Sequence, residues 1–170
     1  SVVERGRDGE PQYPAIAPDD ALFISYTSGT SGLPKGVVLT HHGLHDTILH
    51  SVVSMGFTPD DVWYMPGASA WVVIALNVLG LANGMTHVLP DGDFETTQFL
   101  HDIARYRVTV PLMVPTAMRW LAREYRSGKY DLSSVRMIVF GSSPASPALI
   151  RETSETFGCD LLQAYGMTET

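Results

Sequence analysis

Short apolar runs alternate with segments of helical spacing along most of this chain, and that alternation constrains the fold more than any other feature. Residues 62–65, 87–89, 108–114, 135–140 and 161–165 read as strands, the third interrupted by Pro111. Between them lie helical segments at 71–82, 96–105, 116–127 and 146–157. Phe99, Ile103 and Tyr106 fall on one face of the second, and Ser146 followed by Pro147 is a cap-and-first-turn pair that opens the last. Strands and helices in alternation, joined by short loops, predict an α/β fold: a mostly parallel sheet flanked by helices, with right-handed connections. Ahead of this region, residues 21–27 (ALFISYT) and 37–40 are β-prone and flank a polar loop at 28–36, which predicts an N-terminal β-hairpin. Leu44, Ile48, Val52 and Met55 give helical spacing to residues 43–55. Residues 1–20 carry Pro11, Pro14, Pro18 and a run of charges, and read as an irregular arm.

Composition removes several function classes. The 170 residues are 45% hydrophobic and 17% charged, a globular balance rather than a disordered one. A net charge of −7 leaves no broad basic face, so nucleic acid is not an expected partner. Any polyphosphate must be held locally. The single cysteine, Cys159, excludes an internal disulfide framework and a cysteine-rich zinc site, and fits a cytoplasmic location. No signal peptide is recognisable, and the longest apolar stretch, residues 71–82, is broken by Asn77 and Gly80, short of the ~18 residues of a membrane span. The chain starts at Ser1 and stops just after a strand-like run, which reads as a piece of a longer protein; self-association through a face left open is a further expectation.

The most informative stretch is residues 26–36, YTSGTSGLPKG. It holds four Ser/Thr hydroxyls, three glycines and a lysine. Glycines let backbone amides approach an anion and adopt left-handed conformations, consecutive amides form anion-binding nests, and hydroxyls add donors. Lys35 supplies a point charge, and only Lys35 and Lys129 are lysines in the whole chain. The pattern is neither the G-x-x-x-x-G-K-[ST] loop nor G-x-G-x-x-G. A plain polar hairpin turn is the competing reading, but a turn needs neither this many hydroxyls nor a lysine after proline.

This segment resembles the signature loop of the adenylate-forming enzymes, the family of acyl- and aryl-CoA synthetases, luciferases and peptide-synthetase adenylation domains. Residues 132–145 (LSSVRMIVFGSSPA) resemble the strand and turn that line the family's adenine pocket, and residues 163–170 (QAYGMTET) resemble its second signature. Residues 108–116 are similar to the family's strand and the Pro-Thr start before the next helix. The likeness covers nearly everything beyond residue 20. It implies that residues 21–170 are the central part of an AMP-binding N-terminal domain, cut at its C-terminal side.

The resemblance implies an AMP-forming acyl-CoA synthetase that uses Mg-ATP to turn a carboxylic acid into an acyl-adenylate and then a coenzyme A thioester. Thr27, Ser28, Gly29, Thr30, Ser31 and Gly32 would wrap the β- and γ-phosphates, with Lys35 supporting the loop. Ser142, Ser143 and Pro144 would lie along the adenine, and Tyr165 would stack on it beside Gly166. Thr168 would donate to the α-phosphate and the substrate carboxylate, and Glu169 would bind Mg²⁺. The acid pocket would involve Ser69, Trp71, Gly141 and Gly166. Read without the resemblance, Tyr165 is a core residue ending a strand, and Thr168-Glu169 is a helix cap followed by an acid.

Two departures matter. Relatives often carry an aromatic–His pair after the proline that here is Pro66; this chain has Gly67-Ala68-Ser69-Ala70-Trp71, and Ser69 is the nearest counterpart of the histidine. Small, apolar surroundings and no cation point to a fatty acid. The family's ribose-binding aspartate and C-terminal catalytic lysine have no counterpart, so the chain alone is expected to be a poor catalyst. Rival readings are an amino- or aryl-acid adenylation domain and a nucleotide-binding module without chemistry. The amino-acid version lacks an aspartate between residues 65 and 84 to hold an amine. His41, His42, His45 and His50 form an ionisable cluster, but with few carboxylates near and no cysteine it reads as a surface feature rather than a zinc site.

Overall fold

The computed structural model describes residues 14–28, 32–65, 73–90, 94–125 and 129–168. Strands β1 (Ala21–Thr27) and β2 (Lys35–Thr40) pair antiparallel as a separate hairpin. Helix α1 (His41–Met55) follows at once. Then come β3 (Val62–Tyr64), α2 (Val73–Ala82), β4 (Thr86–Val88), α3 (Thr96–Tyr106), β5 (Val110–Met113), α4 (Pro115–Glu124), β6 (Met137–Phe140), α5 (Pro147–Phe157) and β7 (Asp160–Gln163). The five strands from β3 onward form one parallel sheet in the order β4-β3-β5-β6-β7. The expected α/β architecture with an N-terminal hairpin is therefore present, and all four pairings of the main sheet are parallel. The irregular arm lies largely outside the described residues.

Strand alternation explains the two cores. Trp63, Val110, Met137 and Val139 point to one face, where Leu79, Met85 and Phe57 join them. Tyr64, Met113, Ile138 and Phe140 point to the other, against Phe99, Leu100 and Ile103 of α3, Met118 and Leu121 of α4, and Leu149 and Phe157 of α5. Aromatic contacts reinforce both: Phe57 meets Trp63 edge-on at 5.4 Å, and Tyr64 stacks on Phe99 at 4.6 Å.

Several element ends differ from the sequence reading. Helix α1 begins at His41 because the Thr40 hydroxyl accepts from the Gly43 amide at 3.1 Å, capping the helix straight off β2. Helix α4 ends at Glu124, where Tyr125 turns extended and lays its ring on Phe157. Strands β5 and β6 start late because the residues ahead of them serve a buried brace. The Asp61 carboxylate is 3% exposed and accepts from the Thr58 amide (2.8 Å), the Thr109 hydroxyl (2.7 Å) and Arg136 Nε and Nη2 (2.7 and 2.6 Å). Thr109 Oγ1 in turn accepts from the Val62 amide. One carboxylate thus ties the starts of β3, β5 and β6, fixing the N-terminal edge of the sheet and leaving the opposite edge to carry turns.

On the α3 side, the buried Tyr64 hydroxyl donates to Asp102 at 3.0 Å, and Gln98 Nε2 donates to the other carboxylate oxygen at 2.8 Å. Burial, and then the Asp102 carboxylate, push the Tyr64 phenol above its ordinary range, so it stays a donor. Tyr64→Phe is expected to cost about 1.5 kcal/mol, the value of a buried hydrogen bond to a charged acceptor. Urea unfolding of the two proteins measures it; an unchanged midpoint would show that the bond contributes nothing net.

Candidate functional site

The hairpin places Thr27 directly opposite Lys35, at the two ends of the loop formed by residues 28–34. Ser28, Gly32 and Lys35 are exposed and Thr27 is half-buried. Gly32 has φ +84°, a left-handed conformation, with nothing within 4 Å of where a side chain would stand. An alternation of right- and left-handed residues turns successive amides to one side, which is the basis of anion nests. Gly29, Thr30 and Ser31 lie outside the described residues. The hairpin reaches the main sheet through α1, which packs on both β2 and α2.

A second group forms at the C-terminal edge of the parallel sheet, the edge where open α/β sheets bind ligands. Here β6 gives way to the 141–144 turn and β7 to residues 164–168. Neighbouring strands hold the two segments side by side: Gly141 donates its amide to Met113 O at 3.3 Å, and Ala164 donates to Phe140 O at 2.8 Å. Ser142, Ser143 and Pro144 are exposed and Gly141 is half-buried. The turn ends where Ser146 Oγ accepts from the Leu149 amide and opens α5, as its sequence indicated. Tyr165 is 90% exposed, so its ring is a free surface and not a core residue. Gly166 is exposed and Thr168 half-buried. Ser69, Trp71 and Glu169 lie outside the described residues.

Ser142 has φ +67°, a region that costs a residue with a side chain about 1–2 kcal/mol. Ser142→Gly is expected to raise stability by about 0.5–1 kcal/mol, the left-handed penalty less glycine's chain entropy. A urea midpoint that moves down instead would mean that the serine hydroxyl holds the turn. Sequence reasoning missed this bend, which no residue type at that position announces. It also missed an apolar hollow of about 220 Å³ beside the end of β5, lined by Phe94, Leu112, Val114, Ala117 and Trp120. A larger hollow of about 300 Å³ lies at the β4 edge, at the other side of the sheet from the two turns.

Other ionisable groups fall into structural roles. Burial, then neighbouring Asp160, push the Cys159 thiol up to about 11, so it is no nucleophile at neutral pH. His42 and His45 both engage Asp46 on the exposed face of α1, at 3.1 and 3.2 Å. The His45 hydrogen bond in particular holds the Asp46 carboxyl below its ordinary range. Among the described residues no three His, Cys, Asp or Glu side chains converge as a metal site, and no helix is long and apolar enough to cross a membrane.

The family model "AMP-binding enzyme" matches residues 2–170, and the chain belongs to that family. It is 37% identical over 161 residues to 4-coumarate–CoA ligase 1 of Arabidopsis thaliana, covering 91% of this chain and 28% of that protein. It is 33% identical over 176 residues to 4-coumarate–CoA ligase 2 of Nicotiana tabacum, covering 99% of this chain and 32% of the relative. The chain thus spans under a third of these relatives' length. Among solved structures, the inhibitor-bound N-terminal domain of FACL13 from Mycobacterium tuberculosis superposes with TM-score 0.87 at 28% identity, over 99% of this chain and 43% of that one. O-succinylbenzoate coenzyme A synthetase (MenE) from Bacillus subtilis, in complex with ATP and magnesium ion, gives 0.80 at 29% identity over 99% of this chain and 35% of that one.

Proposed function

We propose that the protein carrying this chain activates a carboxylic acid with Mg-ATP and passes the acyl group to coenzyme A, and that residues 21–170 are the central, nucleotide-binding part of its adenylating domain. The observation that carries this is the sheet's C-terminal edge. There an open tyrosine ring, Tyr165, stands beside the strained 141–144 turn, in a chain of the AMP-binding family.

A carboxylate is a poor electrophile. Its oxygen must attack the α-phosphorus as the bond to pyrophosphate breaks, and catalysis rests on alignment and on neutralising charge. Tyr165 stacks on the adenine against Ser142, Ser143 and Pro144. The hairpin loop, Thr27 to Gly32, donates amides and hydroxyls to the β- and γ-phosphates, with Lys35 at its mouth. Thr168 donates to the α-phosphate and holds the acid's carboxylate at Gly141 and Gly166. Glu169 would be the Mg²⁺ ligand, a carboxylate being the hard oxygen donor such an ion takes. Bound there, the ion would supply positive charge against the phosphates.

The named relatives favour an aryl acid; the small residues 67–70 favour a fatty acid. Pyrophosphate exchange by the full-length protein over 4-coumarate, benzoate and fatty acids of several lengths decides between them. Exchange with none of these acids, while ATP still binds, would leave a nucleotide-binding module and overturn the reading.

A further inference from the structure

A Cβ built on Gly141 would stand 2.7 Å from the Ala164 carbonyl oxygen, 3.6 Å from its carbon and 3.7 Å from its Cβ. Real Cβ atoms essentially never come within 3.0 Å of a neighbour. The obstructing atom is main chain, so no side chain can swing aside. Nor can the strand yield easily: Ala164 is held to Phe140 O on one side of the contact, and Gly141 to Met113 O on the other. Directly beyond these residues in sequence come the two walls of the proposed nucleotide slot. Ser142 bends one at φ +67°, and Tyr165 presents its ring on the other, 90% exposed.

We infer that Gly141 is a positioning residue: the side chain it lacks sets the gap between the 141–144 turn and Tyr165, and hence the fit of a planar base between them. This rests on the nucleotide-binding reading above. Stacking across such a slot is sensitive to small changes, because a gap of about 0.5–1 Å forfeits roughly a quarter to a half of the contact energy. A methyl group at 141 would stand inside the 3.0 Å limit, so the walls must shift for it to escape Ala164. The hairpin loop, built on β1 and β2, does not share this contact. Gly141 therefore controls the grip on the base and not the hairpin loop's grip on the β- and γ-phosphates.

The test measures binding of three probes, AMP, Mg-ATP and inorganic tripolyphosphate, to the 170-residue chain and its Gly141→Ala variant by calorimetry, with far-UV circular dichroism to confirm folding. AMP affinity is expected to fall about tenfold, ATP affinity to fall with it, and tripolyphosphate affinity to stay within about twofold. Unchanged AMP binding in the variant overturns the inference. So does an equal loss of all three probes in a folded variant, the mark of a merely structural glycine. If the single variant does not fold, Gly141→Ala/Ala164→Gly, whose freer backbone can turn the carbonyl away, must recover folding and bind AMP within about twofold of wild type; AMP binding that stays weak in the folded double variant overturns the inference. A wild-type chain that takes tripolyphosphate but not AMP would instead overturn the nucleotide reading itself, and this inference with it.

Discussion

Asp61→Ala is expected to lower the unfolding free energy by about 3 kcal/mol, the lower end of what removing one partner of a buried charge pair costs. Arg136 remains half in solvent and recovers some hydration, which keeps the loss from being larger. The damage still spreads across three strands, because the Thr58 amide and the Thr109 hydroxyl lose their Asp61 acceptor and the Arg136 guanidinium is left with its bond to Gly56 O. Against a typical total of about 5–15 kcal/mol, this is the most severe single change expected away from the hydrophobic cores. A pH signature accompanies it. Burial raises the Asp61 carboxyl, but hydrogen bonds from Arg136, Thr109 and Thr58 outweigh it and hold the group at about 2. The folded pKa lies below the unfolded one, so the contribution is fully present above about pH 4 and is lost as pH falls through about 2. A depression of that size is worth roughly 2 kcal/mol at neutral pH. Urea midpoints between pH 7 and pH 2 should fall more steeply for the wild type than for Asp61→Asn. Parallel profiles would show that the brace is not what stabilises this edge.

The second large effect concerns chemistry. Thr168 is half-buried on the segment that leaves β7, one edge of the proposed slot. If its hydroxyl donates to the α-phosphate as charge develops, Thr168→Ala should lower acid-dependent pyrophosphate exchange by about 10²–10³-fold, the usual cost of one transition-state donor. Affinity for AMP should change far less, because the lost interaction belongs mainly to the transition state. Exchange within a few-fold of wild type would return Thr168 to the bland role of a helix cap.

The sheet was legible because each strand is a short apolar run whose alternate residues face different cores, as Met137 and Val139 do against Ile138 and Phe140. Helix α5 was legible to the residue because Ser146 and Pro147 mark its start. The Asp61 brace was not: its partners just ahead of β5 and β6, Thr109 and Arg136, lie 48 and 75 residues away in sequence, and no local pattern joins them. The pairing of Tyr64 with Asp102 is hidden for the same reason. At the site, the glycine–hydroxyl loop and the 163–168 segment stood out by residue type. The left-handed bend at Ser142 and the contact of Gly141 with Ala164 are backbone facts that residue types do not encode.

Nucleotide binding by this chain is the first requirement of the proposed activity. Equilibrium dialysis of radiolabelled ATP and AMP against the 170-residue chain, with Tyr165→Ala and Lys35→Ala alongside, tests it most directly. Saturable binding of both nucleotides is expected, with AMP lost in Tyr165→Ala and retained in Lys35→Ala. Absence of saturable binding by the folded wild-type chain, or AMP binding indifferent to Tyr165, would contradict the account.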